Sequence, residues 1–220
     1  MNVKLIGVTP NPEKLPAMAA TLTHSKATPQ ELEQSSEKEL NQVLSHVIKL
    51  GHTSVIEHSN FTFAISGVSR SLTHQLVRHR IASYAQQSQR YVNLEEPCFV
   101  IPPTIKKSKE MKDAYENTMK IIWEQYNSLL AMDIPAEDCR YILPNATCTN
   151  IMVTMNARSL LNFFELRCCL HAQWEIRTLA NKMLQLVKKE APIIFKNAGP
   201  CCKTKGYCIE HNKKCKWYPK

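Results

Sequence analysis

Glycine is scarce in this chain, with five in 220 residues, and a whole group of nucleotide-binding devices goes with it. No G-x-G-x-x-G run opens a helix and no P-loop is present, so neither a Rossmann-type crevice nor a backbone phosphate cradle is expected. A phosphate or dinucleotide would have to be held by side chains. No apolar run approaches the roughly 18 residues of a membrane-crossing helix. The apolar part of Met1–Val8 is too short for a secretory leader. The expectation is a cytoplasmic protein with no membrane partner.

Paired C-x-x-C spacing is also missing, although there are nine cysteines. Cys98, Cys139, Cys148, Cys168 and Cys169 are scattered through the body and are expected as reduced thiols. None occupies a plausible nucleophile setting. Cys201, Cys202, Cys208 and Cys215 lie with His211 in residues 201–220. Four thiols and an imidazole are zinc-ligand types, but their spacing leaves a solvated tail as the alternative, and no bound metal is expected.

The net charge of +9 is unevenly spread, because residues 201–220 hold six Lys and one Glu. The remaining body is only mildly basic. Its arginines fall in short motifs, which suits small anionic ligands better than a nucleic-acid footprint.

The densest motif runs from Arg78 to Tyr91 (RHRIASYAQQSQRY). Building a core does not call for three Arg, one His, two Ser, two Tyr and three Gln around a single Ile. Arginine offers a flat fork that pairs bidentately with phosphate or carboxylate, and Ser, Tyr and Gln satisfy sugar hydroxyls and base edges. The motif reads as a site for an anionic, nucleotide-like ligand; a solvated basic turn is the alternative. Ser88 reads as a ligand donor, since no general base stands beside it in sequence.

Around this motif, hydrophobic periodicity predicts an α+β chain. Strands are expected over 2–8, 60–66 and 147–155. Thr28-Pro29-Gln30-Glu31 and Ser36-Glu37-Lys38-Glu39 are capping-box patterns. The helix after Ser36 carries Leu40, Val43, Leu44, Val47 and Ile48 on one face and stops at Gly51. Further helices are expected over 69–80, 110–131, 156–170 and 173–190, with one turn at 136–141. Pro97, Pro102 and Pro103 mark an irregular excursion. The expected organisation is one domain over 1–200 and a Lys/Cys-rich tail over 201–220.

Two helical placements carry chemistry. Gln75 and Arg78, three apart, share a face, so the helix end aims both at one ligand. At about 100° per residue, Arg158, Asn162, Glu165 and Cys169 form a polar stripe. Leu160, Phe163, Phe164, Leu166 and Leu170 form the apolar side, and Arg167 falls within it. A buried guanidinium must be paired, so Arg167 needs either a ligand or a carboxylate such as Glu175.

The Arg78–Ser88 signature (Arg-His-Arg, seven residues, Ser) resembles that of the flavin-dependent thymidylate synthases, the ThyX family. His52–Phe63 (HTSVIEHSNFTF) resembles the upstream motif of that family. Asn156–Arg167 (NARSLLNFFELR) followed by His171–Ile176 (HAQWEI) resembles its downstream one. The likeness covers about residues 1–197, with the three motifs in the family's order.

The resemblance implies a ThyX-like domain with a central, mostly antiparallel sheet and flanking helices, assembled as a homotetramer with active sites shared between subunits. It implies reductive methylation of dUMP to dTMP, with methylenetetrahydrofolate as carbon donor, NADPH as reductant and FAD as hydride relay. Residue by residue, it puts Ser54, Arg78, His79, Arg80, Gln86, Asn156, Arg158 and Asn162 at the FAD. Gln75, Arg78, Gln86, Gln87, Ser88, Gln89, Arg90, Arg140 and Arg167 fall at the dUMP. Arg167 is the implied catalytic group, favouring an N3-ionised uracil. His52 and Tyr91 are implied near folate or flavin. His171 is either an orienting group or a core histidine. Gln86 stands where some members have Glu, Ser54 where Thr can occur, and Gln87 where Leu is usual, with its backbone N–H expected to remain available for phosphate. A flavin-dependent NADPH oxidase or reductase, and a basic nucleotide- or RNA-binding module, are the competing readings.

Overall fold

The computed structural model describes residues 1–219. Its elements run β1 (Asn2–Val8), α1 (Lys14–Leu22), α2 (Pro29–Glu33), α3 (Glu37–Lys49), β2 (Asn60–Ser69), α4 (Arg70–Leu76), β3 (Ser83–Gln86), α5 (Lys109–Leu130), α6 (Ala136–Cys139), β4 (Cys148–Asn156), α7 (Ala157–Arg167), α8 (Trp174–Glu190), α9 (Pro192–Phe195) and α10 (Cys201–Thr204). The four strands form one antiparallel sheet in the order β1-β2-β4-β3. The chain is α+β, and none of its described helices is long and apolar enough to cross a membrane.

Local signals account for most boundaries. Thr28 accepts from the Glu31 N–H while the Glu31 carboxylate takes the Thr28 N–H, a complete capping box opening α2. Ser36, Ser69, Ser108 and Asn156 cap α3, α4, α5 and α7 through their side chains. Gly51 ends α3 at φ +81°. Its N–H reaches the Ile48 carbonyl at 3.0 Å, and the His52 N–H reaches that of Val47 at 2.9 Å, which satisfies two orphan carbonyls.

α1, α9 and α10 were not expected from the sequence, and three elements near the motifs depart from it in their bounds or type. α4 stops at Leu76, so Arg78 lies one residue past the helix cap, in a turn whose N–H bonds the Gln75 carbonyl at 3.3 Å. α7 stops at Arg167 rather than running to 170. The polar run Ser83–Gln86 is a strand, an outcome its composition hides because the pairing partner is β4, more than sixty residues away.

The chain divides into two compact units. The first comprises Met1–Asn2, Ile65–Arg78 and Ala85–Ile151; the second comprises Val3–Ala64, His79–Tyr84 and the residues from Met152 onward. In the first, α5 buries Met119, Trp123 and Tyr126. The same helix pins the irregular excursion. Trp123 Nε1 donates to the Leu94 carbonyl at 2.8 Å, the Leu94 N–H donates to the Tyr126 hydroxyl at 3.3 Å, and Asn127 Nδ2 donates to the Glu95 carbonyl at 3.1 Å.

In the second unit, the buried faces of α7, α8 and α9 meet an aromatic chain. Phe61 lies edge-on to Phe195 at 5.4 Å, Phe195 to Phe164 at 6.0 Å, and Phe164 is tilted against Phe163 at 5.7 Å. All four rings are fully buried. The Glu13 carboxylate caps α9, accepting from the Ile193 and Ile194 N–H groups at 2.6 and 3.0 Å. Phe195→Ala removes the ring that touches both Phe61 and Phe164 and is expected to cost about 3–5 kcal/mol. Urea denaturation measures this, and an unchanged midpoint would mean the cluster is not packed as described.

Candidate functional site

In the first unit, three guanidinium groups gather. Arg70 opens α4, Arg90 follows β3, and Arg140 follows α6. Arg140 Nε donates to the Glu137 carbonyl at 2.9 Å, and Arg90 pairs with the Glu137 carboxylate, so both are tied to one residue. Burial, and then the Arg140 cation, push the Arg70 guanidinium below its usual range. Two like charges held this close favour an anion between them. Arg90 also stacks over the Tyr91 ring at 5.3 Å. The sequence reading included Arg90 and Arg140 but missed Arg70. A signal existed: a cation in the first turn of a helix opposes the macrodipole and calls for a reason.

The amides of the motif are committed differently from one another. The Thr73 hydroxyl donates to the Arg70 carbonyl at 3.0 Å, so its oxygen accepts from Gln86 Nε2 at 3.1 Å. Gln86 Nε2 also reaches Thr149 Oγ1 at 3.3 Å. Both amide protons of Gln86 are therefore spent within the protein, and its carbonyl oxygen is left to accept from a ligand.

Gln87 is corrected more sharply. Its N–H, expected to be available for phosphate, donates to the Asn150 carbonyl at 2.9 Å. Its side-chain oxygen accepts from Asn150 Nδ2 at 3.0 Å, and its carbonyl accepts from Arg70 Nη1 at 3.4 Å. Gln87 positions the segment, with sheet pairing consuming the donor. Ser88 Oγ accepts from the Arg90 N–H at 3.1 Å, and the Ser88 carbonyl accepts from Val92, closing a tight turn over 88–92. Gln75 and Gln89 are half-buried and Arg78 is exposed.

In the second unit, Arg167 is half-buried at the last position of α7. Its Nε donates to His79 Nε2 at 3.0 Å. An arginine Nε–H is always a donor, so His79 Nε2 holds a lone pair and the imidazole proton sits on Nδ1. Burial, and then the Arg167 cation, hold the His79 pKa at about 4. His79 also stands edge-on to Phe163 at 4.9 Å, and its carbonyl accepts from the Tyr84 hydroxyl at 2.9 Å. Burial in turn pushes the Tyr84 phenol up to about 12. In place of the carboxylate weighed for Arg167, the structure provides another strong acceptor, a neutral imidazole. With Nε engaged there, the two terminal amino groups of the fork remain to meet a ligand.

Around this pair, α7 presents the expected polar stripe. Arg158 and Asn162 are exposed, and Glu165 pairs with Lys205 at 2.7 Å. Arg158 pairs with Glu57 at 2.5 Å. Leu166, expected on the apolar side, is 42% exposed. Asn156 spends its carbonyl oxygen capping α7 on the Ser159 N–H at 2.8 Å, which leaves its amide N–H groups as donors. Ser54, Arg80 and His52 are exposed. His171 accepts from Asn212 Nδ2 at 2.6 Å and is exposed, so it is not a core histidine.

A testable consequence concerns protonation. Between pH 6.5 and about 4 the unfolded chain takes up a proton at His79 that the folded chain refuses, so stability falls as pH is lowered through that window. Ring-nitrogen NMR is expected to show His79 neutral, protonated on Nδ1, at pH 6. A midpoint near 6.5 would contradict the Arg167 contact.

Residues 4–193 match the profile of the thymidylate synthase complementing protein family. A Geobacter sulfurreducens protein named flavin-dependent thymidylate synthase is 48% identical, the match covering 98% of this chain and 94% of that one. A Clostridium tetani protein of the same name is 47% identical over 98% and 93%. Among solved structures, the UMP/dUMP methylase PolB from Streptomyces cacaoi, bound with 5-Br dUMP, superposes with a TM-score of 0.76. It covers 89% of this chain and 93% of that one at 21% identity, a likeness of fold. The chain belongs to the thymidylate synthase complementing protein family, whose members include the flavin-dependent thymidylate synthases.

Proposed function

We propose that this protein is a flavin-dependent thymidylate synthase that methylates dUMP to dTMP, with methylenetetrahydrofolate as carbon donor and NADPH as reductant. The observation that carries the reading is the Arg167–His79 couple, a half-buried cation whose Nε is anchored and whose terminal amino groups are left to bind a ligand. The names of the Geobacter and Clostridium relatives, and the dUMP analogue bound to PolB, support the nucleotide substrate.

Arg167 holds positive charge where negative charge develops as the uracil ring is activated, and it needs no rearrangement to do so. A neutral His79 accepts from that cation without repelling it. Arg70, Arg90 and Arg140 supply the phosphate site, and the nucleotide phosphate replaces the Glu137 carboxylate on Arg90. Gln86 accepts from the nucleotide; Gln75, Arg78, Ser88 and Gln89 complete the same set.

The donors present fit an FAD held by side chains. His79 Nδ1–H, the Asn156 amide, and exposed Ser54, Arg80, Arg158 and Asn162 are all polar groups of the second unit, and Arg78 adds a further cation. When bound, FAD supplies the hydride relay. Active sites built by several chains of a homotetramer are part of the same reading, as are a cytoplasmic location and a catalytic domain over 1–200. A flavin reductase has no evident use for the Gln75, Arg78, Ser88 and Arg90 set, and an RNA-binding module has none for the half-buried Arg167.

Tritium release from 5-labelled dUMP, dependent on both NADPH and methylenetetrahydrofolate, is the decisive assay. Flavin-loaded enzyme that oxidises NADPH without releasing tritium would point to a reductase. Arg167→Ala is expected to reduce turnover by roughly 10²-fold or more while FAD content stays near the parent value; parallel loss of both would make Arg167 structural. Arg70→Ala is expected to raise KM for dUMP, with FAD content unchanged. An unaltered KM would remove Arg70 from the phosphate site.

A further inference from the structure

The segment after residue 200 is not the solvated tail its composition suggests. Lys205 pairs with Glu165 on α7 at 2.7 Å, and Asn212 Nδ2 donates to His171 Nε2 at 2.6 Å, so the segment touches both α7 and the turn that follows it. Lys203 sits over the Trp217 ring at 3.7 Å, which closes residues 203–217 into a loop.

The turn, residues 168–173, joins α7 to α8 and starts directly after Arg167. Its far end is well built. Gln173 caps α8, its side-chain oxygen accepting from the Glu175 and Ile176 N–H groups at 2.8 and 3.2 Å. Its near end has less to hold it. The Cys168 N–H bonds the Phe164 carbonyl at 3.0 Å and the Ala172 N–H bonds that of Cys169 at 3.1 Å, but the last carbonyls of a helix lack helical partners. Arg177 supplies a further hold. From the first turn of α8 its Nη1 donates to the Leu170 carbonyl at 2.7 Å and to the Ala172 carbonyl at 3.2 Å. A cation so near a helix N-terminus opposes the macrodipole, and these two bonds give it a reason to be there. Charge-assisted bonds are roughly twice as strong as neutral ones, and Arg177 is half-buried, so water competes less for them.

We propose, resting on the reading of Arg167 as the group that activates the uracil, that Arg177 is a positioning residue for Arg167. It clamps the turn that begins at the next residue, while the C-terminal loop braces the same turn at His171 and the helix at Glu165. The Arg167 side chain is long and is tied through Nε alone, to His79 at 3.0 Å. The remainder of its placement comes from where the end of α7 stands. With the turn released, that end frays and the guanidinium drifts from His79. Misplacing a catalytic group by about 1 Å costs on the order of 10²-fold in rate.

The test uses the full-length, flavin-loaded protein. Arg177→Ala is expected to lower kcat for tritium release by on the order of 10-fold to 10²-fold, with FAD content and KM for dUMP near the parent values. Arg177→Lys keeps a charged donor and is expected to recover most of kcat. In R177A the His79 titration midpoint, read by ring-nitrogen NMR, is expected to climb above about 4, because the Arg167 cation that helps hold it down has moved. Unchanged kcat with an unchanged midpoint overturns the proposal. So does a joint fall of kcat, FAD content and stability that Arg177→Lys does not relieve, which would make Arg177 purely structural. If R177A does not fold, the Lys205→Ala, Asn212→Ala double variant decides: a smaller fall in kcat with the same rise at His79 supports the clamp, and no change in either refutes it. A parent chain that releases no tritium defeats the catalytic reading alone, and the His79 midpoint in R177A still decides whether Arg177 places Arg167.

Discussion

A half-buried guanidinium that must stay charged is the constraint around which the second unit is organised. Arg167 ends a helix whose other face is buried, so it cannot simply turn to water without leaving the apolar side. An imidazole solves this because it accepts a hydrogen bond without carrying charge. The solution holds only while His79 remains unprotonated, and burial against Phe163 is the larger of the two causes that keep it so. The aromatic chain from Phe61 through Phe195, Phe164 and Phe163 therefore does more than fill space. It brings the rigidity of a packed core to the ring that orients the arginine.

The first unit handles charge in the opposite way. Arg70 and Arg140 are close enough to repel, and a single residue, Glu137, ties Arg90 through its carboxylate and Arg140 through its carbonyl. The Arg70 contact to the Gln87 carbonyl fixes the start of the turn over 88–92. Repulsion of this kind costs stability in the ligand-free protein and is offset when an anion enters. Sites of function are where such local cost is expected.

The C-terminal segment shows how composition misleads. Six lysines and four cysteines with no regular spacing look like a solvated appendage, yet a lysine–glutamate pair, a histidine–asparagine hydrogen bond and a lysine–tryptophan contact seat it on the body. Each contact is modest alone.

Capped helix starts, the glycine stop of α3 and strand alternation were legible in the sequence because each depends on residues a few positions apart. The Thr28–Glu31 box, the Ser36 and Asn156 caps, the Gly51 stop and the buried alternation of β2 and β4 are of this kind. The need of Arg167 for a partner was legible too, from its place on the helical wheel. The identity of that partner was not, because His79 lies 88 positions away. The same holds for the strand at Ser83–Gln86, just after which Gln87 meets Asn150 across 63 positions, and for the Arg158–Glu57 pair across 101. Local steric and capping preferences act along the chain and can be read from it. Which donor is spent, which tautomer is held and which cations crowd together depend on segments that only the folded chain brings into contact.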